Sequence, residues 1–430
     1  MRRVNIRAAV LLVLVLAAGS GIYWILNRPQ DRLWVVIPPV NSRGMISALM
    51  ELDSGVERLV TIAPDGAVRR TGGGGETEDK EFVWHQPKGE RVIFISNRAS
   101  DGSFQLFDWL PDRDNDPYQL TPNGADRRNP WFSPGGERLL IVSQGQVFGV
   151  AYPKGDFHRV FPPSNDPNPL AGAEGEVTHS HDGEQEHDII ARLWNELASA
   201  LEGDAFEQGF LDRSGRYFVG IYATARGSAL VVQYLPADPS AVVGPAAPWA
   251  GERVDVAMHP TEPVAVVAIR NFRYPIRAAI PEDMIRPDGT IERPFVNAVI
   301  VLHLDKFFSG EGVRAAVPIF LTFEAEEAVV SPAISPDGSE VALVQMESVD
   351  GEWNPDRSRL LVAPLKEGGI VEAREVASGR VREPCWSPDG QTLAFVRDGD
   401  IWTVNRDGTG EKNLTQGKGS FRSPRFSPRG

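Results

Sequence analysis

CWSPDGQTLAFV, at residues 385–396, joins a tight turn to the beginning of a β-strand. Pro388 presets one backbone angle of the turn, and Gly390 accepts an angle that other residues avoid. The apolar residues on both sides of the turn are typical of two paired strands. The stretch therefore predicts a β-hairpin. We call its turn-forming part, a large apolar residue followed by Ser-Pro-Asp-Gly or a variant of it, the box.

The box recurs along the chain. Clear copies are FSPGG at Phe132–Gly136, ISPDG at Ile334–Gly338 and FSPRG at Phe426–Gly430, and looser copies are WHQPKG at Trp84–Gly89, LDRSG at Leu211–Gly215 and MHPTE at Met258–Glu262. The boxes are about 40 to 50 residues apart, with two intervals near 80, and this is the period of β-propeller blades. Seven boxes predict an all-β propeller of seven four-stranded blades. Six blades is the alternative if the Met258 box does not begin a sheet.

The last box, at Phe426–Gly430, has no strand after it. DRLWVV at Asp31–Val36 would supply that strand, because FSPRG joined to DRLWVV reproduces the spacing and apolar pattern of FSPGGERLLIV at Phe132–Val142. Residues 45–71 would then supply the rest of the same blade. We therefore predict a ring closed by one blade that is built from both ends of the chain. Pairing the ends removes the junction at which the ring could open.

These boxes resemble the repeats of TolB-like propellers, a WD40-like family in which a W/F-S-P-D-G turn opens each blade. The resemblance covers about residues 31–430 and is most specific in the boxes at Ser133, Ser335, Ser387 and Ser427. IWTVNRDGTGEKNLT, at residues 401–415, is also similar to the third and fourth strands of that family. TolB itself has an α/β domain ahead of its propeller, whereas the first strand predicted here begins at Leu33. The resemblance therefore implies the fold, and it does not carry over the Tol–Pal role.

Residues 1–30 predict a membrane segment. Three arginines within residues 1–7 precede an uncharged run from Ala8 to Leu26, which is about long enough to cross a bilayer as a helix. The alternatives are an uncleaved anchor and a signal peptide cleaved near Ala17–Ser20. We favour the anchor, because apolar and aromatic residues continue beyond the cleavage position. The basic N-terminus places the propeller in the periplasm or the extracellular space, and cleavage would make it a secreted protein. No cysteine adjoins the run, so we expect no lipid anchor.

The chain is acidic, with a net charge of −14. The only charges in its first 28 residues are four arginines, so the remainder carries about −18. Such a surface repels nucleic acid and anionic lipid head groups, which excludes both as partners of the propeller. The one cysteine, Cys385, cannot form an internal disulfide and is expected to be a small buried apolar residue.

Two insertions account for the long intervals between boxes. The first, at about 164–205, ends in a helical pattern whose apolar stripe either packs on the propeller or docks a protein partner. The candidate docking residues are Ile190, Leu193, Trp194, Leu197 and Leu201. The second, at about 271–295, is rich in proline and is either a recognition loop or simple surface variation.

Two polar segments are candidate metal sites. Alternate positions in an extended segment point the same way, so imidazoles or carboxylates at that spacing can converge on one ion, and a third imidazole beyond a turn could complete a site. The candidates are His179, His181 and His187 for a transition metal, and Asp112, Asp114 and Asp116 for calcium. A solvated acidic loop is the alternative for both, and Pro117 stands where calcium loops usually have glycine. We expect no cofactor.

Propellers also precede the catalytic domain of serine peptidases of the prolyl oligopeptidase type, but no G-x-S-x-G nucleophile elbow occurs in this sequence. We expect a membrane-tethered, extracytoplasmic module that binds a protein partner, as an accessory subunit of a membrane complex. The alternative is a small-molecule or metal-dependent enzyme of the hydrolase or lactonase type, with its site in the propeller channel.

Overall fold

The structure, a computed structural model, describes residues 44–73, 76–84, 89, 91–111, 117–152, 158–161, 197, 199–201, 203–235, 245–273, 287, 295–322, 327–349, 352–365 and 372–428. All of them belong to one unit, Ser42–Gly430. They form seven antiparallel sheets of four strands each, so the prediction of a seven-bladed propeller is confirmed.

Blades are numbered from the one that holds the first strand of the chain. Blade 1 contains β1 (Ile46–Glu51), β2 (Glu57–Ile62), β3 (Val68–Arg70) and β28 (Ser420–Phe426). Blade 2 contains β4 (Asp79–Trp84), β5 (Val92–Ser96), β6 (Gln105–Trp109) and β7 (Tyr118–Gln119). Blade 3 contains β8 (Arg127–Phe132), β9 (Arg138–Ser143), β10 (Gln146–Ala151) and β11 (His158–Phe161). Blade 4 contains β12 (Gly203–Leu211), β13 (Tyr217–Thr224), β14 (Gly227–Tyr234) and β15 (Ala246–Gly251).

The remaining blades follow the same order. Blade 5 contains β16 (Arg253–Met258), β17 (Val264–Arg273), β18 (Phe295–His303) and β19 (Ala316–Thr322). Blade 6 contains β20 (Glu327–Ile334), β21 (Glu340–Val349), β22 (Glu352–Pro364) and β23 (Arg374–Ser378). Blade 7 contains β24 (Arg382–Trp386), β25 (Thr392–Arg397), β26 (Asp400–Asn405) and β27 (Lys412–Asn413). Three short helical turns, Leu304–Lys306, Phe307–Glu311 and Gly312–Ala315, connect β18 to β19.

Blade 1 closes the ring, but not with the strand that the sequence predicted. β28 pairs with β1, so that Phe426 lies opposite Ile46 and Phe421 opposite Met50. The prediction that Asp31–Val36 follows the last box was therefore wrong, whereas closure by the two ends of the chain is confirmed. In the other blades a short turn determines which residues pair with the first strand. β28 and β1 come from opposite ends of the chain, so no such turn determines which apolar run pairs with β28.

The boxes share one backbone hydrogen bond. In the box of blade 7, the Ser387 N–H donates to the carbonyl oxygen of Thr392 (2.8 Å). In blade 1 the Ser427 N–H donates in the same way to the carbonyl oxygen of Met45 (2.8 Å). The bond that closes a hairpin turn in blade 7 thus joins the two ends of the chain in blade 1.

Apolar residues fill every interface between neighbouring blades. The described residues form seven hydrophobic clusters, each shared by two adjacent blades. In the cluster between blades 1 and 2, Leu49 and Leu59 pack against Trp84 and Phe94, all buried. Side chains of one strand alternate between the two faces of its sheet, so each blade contributes to two clusters. This packing supplies the hydrophobic stabilisation of the ring.

The antiparallel order gives the ring two distinct ends. The boxes and the connections from third to fourth strands lie at one end, which we call the box face. The turns between second and third strands and the connections between blades lie at the other end, which we call the insertion face. Both sequence insertions belong to the insertion face, because one connects β11 to β12 and the other connects β17 to β18.

The membrane segment predicted within residues 1–30 lies outside the described residues. In the part of the chain that the structure describes, no helix is both long enough and apolar enough to span a bilayer.

Candidate functional site

The first strands of the blades line a central channel. Each box has a residue that corresponds to Ser387, directly after its large apolar residue. The residues four positions before it, one in each blade, form what we call the upper ring. It consists of Glu81, Asn129, Gln208, Asp255, Ser331, Glu383 and Ser423. Counting two residues back gives the lower ring, which consists of Val83, Trp131, Phe210, Ala257, Ala333, Cys385 and Arg425.

Three upper-ring carboxylates bind the backbone of the next blade. Glu81 accepts the N–H of Asn129, and Glu383 accepts the N–H of Ser423. Asp255 accepts the N–H of Ser331 at 3.2 Å. These hydrogen bonds tie blade 2 to blade 3, blade 7 to blade 1 and blade 5 to blade 6. These three channel carboxylates therefore stabilise the contacts between neighbouring blades.

The three N–H donors share an unusual backbone conformation. Asn129, Ser331 and Ser423 have φ of 49°, 53° and 54°, in the left-handed region. Each is followed by proline, which normally keeps the preceding residue extended. The register of each first strand shifts at this point, as in a β-bulge. The carboxylate of the neighbouring blade thus satisfies an N–H that has left the ladder of its own sheet.

Tryptophans of two boxes add a second kind of tie. Trp84 Nε1 donates to the carbonyl oxygen of Arg425 (3.2 Å), and Trp386 Nε1 donates to that of Ala333 (2.9 Å). Both acceptors belong to the lower ring of the preceding blade. A tryptophan in the box therefore buries its ring and still satisfies its polar N–H group.

Two cavities occupy the channel between blades 1 and 4. The mouth cavity, of about 660 Å³, opens between blades 2, 3 and 4 at the insertion face. Its lining includes four charged residues, Glu81, Asp126, Arg128 and Glu207. The channel cavity, of about 310 Å³, lies deeper and is lined by the first strands of blades 1 to 4. The two cavities share the upper-ring residues Glu81, Asn129 and Gln208.

Cys385 is the lower-ring residue of blade 7. Its side chain is buried, which confirms the sequence prediction, and burial raises the pKa of the thiol to about 11. The thiol is therefore protonated at neutral pH and is a poor nucleophile.

Most of the site residues predicted from the sequence lie outside the described residues. These are His179, His181 and His187, then Asp112, Asp114 and Asp116, and then Ile190, Leu193 and Trp194. Leu197 and Leu201 are described, and both are half-buried against the hydrophobic cluster of blades 3 and 4. For these two residues the structure shows packing on the propeller. Among the described residues, no group of three His, Cys, Asp or Glu side chains could hold a metal ion.

The two rings were not singled out from the sequence, although a signal for them exists. Four blades have proline three residues before the box Ser, at Pro130, Pro332, Pro384 and Pro424. Counting backward from each box would have aligned the channel residues of all seven blades.

Comparison with known proteins supports the family resemblance. Residues 309–423 match the family model described as the lipoprotein LpqB beta-propeller domain, and they include the boxes at Ser335 and Ser387. A protein TolB homolog from Chlorobium luteolum is 33% identical over 104 residues, which are 24% of this chain and 22% of that protein. The propeller is TolB-like. This confirms the resemblance that the boxes indicated.

Two further proteins are similar to this chain. An uncharacterized peptidase, YuxL of Bacillus subtilis, is 33% identical over 107 residues, which are 24% of this chain and 16% of that protein. The chain thus matches less than a quarter of the length of either curated relative. A solved structure of an oligogalacturonate lyase in complex with manganese is 12% identical to this chain and has a TM-score of 0.49. The alignment covers 86% of this chain and 85% of the lyase chain. At this identity the similarity concerns the fold alone.

Proposed function

We propose that this chain is an extracytoplasmic protein-interaction module of the cell envelope, tethered to the membrane by its N-terminal apolar segment. Its partner docks on the insertion face. The single observation that carries the proposal is that the largest additions to the four-stranded blades all leave the ring at this one face.

The additions are unequal around the ring. One insertion joins blade 3 to blade 4, and the other lies within blade 5. In blade 6, β21 and β22 have 10 and 13 residues, compared with 5 each for β5 and β6 of blade 2. β21 and β22 meet at the insertion face, so they lengthen the ring there. Loops carried by a rigid scaffold are the usual place for recognition.

The matched families support the location. One is described as a domain of a lipoprotein and another as a TolB homolog, and both descriptions indicate envelope proteins. The three arginines that precede the apolar run agree with export of the propeller. Ile190, Leu193 and Trp194 of the first insertion are the docking residues that we propose.

A channel enzyme is the second candidate, and the mouth cavity favours it. Its four charged lining residues place three carboxylates and one guanidinium within one concave site. Against this candidate, one carboxylate, Glu81, already accepts a backbone N–H.

Mild cross-linking in native membranes, followed by purification of this chain and mass spectrometry, tests the proposal. We expect one stoichiometric protein partner with cross-links to residues 164–205 or 271–295. Recovery of the chain alone would contradict it. Hydrolysis of small esters or lactones that is lost in Glu207→Gln, but unchanged in the surface control Glu375→Gln, would support the enzyme instead.

A further inference from the structure

One charged residue interrupts the lower ring. The other six blades have Val83, Trp131, Phe210, Ala257, Ala333 and Cys385 at this position, all apolar. Blade 1 alone has a charged residue, Arg425, which lines the channel cavity and is exposed. Arg425 is therefore the one cation in the otherwise apolar lower ring.

Arg425 has little to neutralise it. Among the described residues, its side chain makes one hydrogen bond, from Nη1 to the carbonyl oxygen of its neighbour Pro424, at 3.2 Å. Within the described residues, no carboxylate oxygen lies within 4.0 Å of its guanidinium. The nearby Arg422 differs, because it is paired with Glu57. An unpaired guanidinium in a recess retains most of its hydrogen-bonding capacity for an anion from solution.

Two neutral donors face the same cavity. The carboxamide of Gln208, in blade 4, has no hydrogen-bond partner among the described residues, and neither has the hydroxyl of Ser423 in blade 1. The carboxylate of Glu81 also lines the cavity, but it accepts the N–H of Asn129. The cavity thus offers a cation and two hydrogen-bond donors without their own partners.

The wall beside these donors is aromatic. Trp131 and Phe210 meet edge to face, with ring centroids 5.5 Å apart. Both line the channel cavity, whose volume of about 310 Å³ suits a small organic molecule. The arginine fork matches the two oxygens of a carboxylate, and an apolar ligand body can pack against the rings.

We propose that the channel cavity binds a small organic carboxylate, with Arg425 as its charged anchor, Gln208 and Ser423 as neutral donors, and Trp131 and Phe210 as the apolar wall. This site is independent of the docking of a protein on the insertion face, so either can fail without the other.

Benzoate is the probe, and benzamide, which has the same shape without the charge, is its matched control. Binding to the full chain in mild detergent is measured by saturation-transfer NMR and calorimetry. We expect benzoate to bind at millimolar concentration or below and benzamide to bind at least about tenfold more weakly, since a hydrogen bond to a charged group contributes that much or more. Equal binding of the two probes, or no binding of benzoate, would overturn the proposal.

Variants assign the site. Arg425→Leu should weaken benzoate binding at least about tenfold, whereas Arg226→Leu, at an exposed surface arginine, should leave it unchanged. Should Arg425→Leu fail to fold, Arg425→Lys serves, because it keeps the charge and loses the two-pronged geometry, and it should bind benzoate with intermediate affinity. Benzoate binding that is unchanged in Arg425→Leu, or in a folded Arg425→Lys, would place the probe elsewhere and overturn the assignment.

Discussion

The Nε2 atom of His259 lies 3.2 Å from the carbonyl oxygen of Gly338, so the box of blade 5 contacts the box of blade 6. His259 Nδ1 accepts the N–H of Glu262 at 3.0 Å, which leaves Nε2 as the nitrogen that carries the hydrogen. Nε2 therefore donates to Gly338. His259 stands at the position that serine occupies in the clearer boxes, and its hydrogen bond to Gly338 joins blade 5 to blade 6.

Gly338 and Gly390 occupy the same turn position, but only Gly338 is too close to the neighbouring blade to accept a side chain. A Cβ atom on Gly338 would lie 2.1 Å from His259 Nε2, whereas the nearest atom to one on Gly390 would be 3.7 Å away, in Pro336. Both have positive φ, so alanine costs about 1–2 kcal/mol at either. We expect Gly338→Ala to cost about 1–3 kcal/mol more than Gly390→Ala in chemical denaturation, because of the clash.

His259→Ser supplies the check on this difference. Added to Gly338→Ala, it should recover stability, because it removes the side chain that clashes. Equal losses for the two glycine variants would show that the contact between the boxes does not constrain the ring.

Asp337 makes the box of blade 6 sensitive to acid. The Ser335 hydroxyl (2.6 Å), then the N–H and hydroxyl of Ser339, donate to its carboxylate and lower its pKa from 3.8 to about 2. A lowered pKa means that the carboxylate stabilises the folded state fully above about pH 4, and that this contribution is lost as the pH falls toward 2.

The corresponding variant is Asp337→Asn. We expect it to be less stable than the native chain at pH 7 and to approach it between about pH 4 and pH 2, in urea denaturation at each pH. Glu375→Gln, at an exposed carboxylate, is the control. A stability difference that stays constant down to pH 2 would mean that the hydrogen bonds of Asp337 are not formed.

Glu383 ties blade 7 to the closing blade through the N–H of Ser423. We expect Glu383→Ala to lower the free energy of unfolding by about 1–2 kcal/mol, because the N–H loses its acceptor. Glu383→Gln keeps an oxygen acceptor and should cost less, and Glu375→Ala should cost nothing measurable. If the alanine and glutamine variants were equally stable, the hydrogen bond would not contribute.

Closure of the ring depends on β28. Deletion of Phe421–Gly430 removes the first strand of blade 1, which pairs with β1, and with it the buried ring of Phe421. We expect this truncation to lower the thermal unfolding temperature sharply, because it opens an interface on each side of the blade. Deletion of Ala171–Ser180, equally long and within the first insertion, should leave the temperature nearly unchanged. Similar temperatures for the two deletions would contradict closure.

The blades were predictable because each is encoded locally. A box such as Ile334–Gly338 contains its own turn and is followed directly by its strand, so spacing alone gives the count of blades. The closing strand lacks this information. DRLWVV at Asp31–Val36 and ISALME of β1 are both short, largely apolar segments of strand length, and only the assembled ring selects β1.

The channel was less predictable, for a related reason. Neighbours within the upper ring, such as Glu81 and Asn129, are 48 residues apart in the chain, so no local pattern reports their contact. Counting back from the boxes identifies which residue of each blade belongs to the upper ring. Which carboxylate accepts which N–H depends on how the blades pack. The apolar stripe in the first insertion is a similar case. Its periodicity predicted which residues share one face of a helix, but only the structure shows that Leu197 and Leu201 pack against the propeller.

The most direct test of the proposed function compares the two faces of the ring. A photo-cross-linking amino acid is placed at exposed Arg226, in the β13–β14 turn of the insertion face, or at exposed Gln391, directly after the box of blade 7 and thus at the box face. After illumination of intact cells, we expect a protein partner to be cross-linked from position 226 and not from position 391. Cross-linking from position 391 alone would contradict docking on the insertion face.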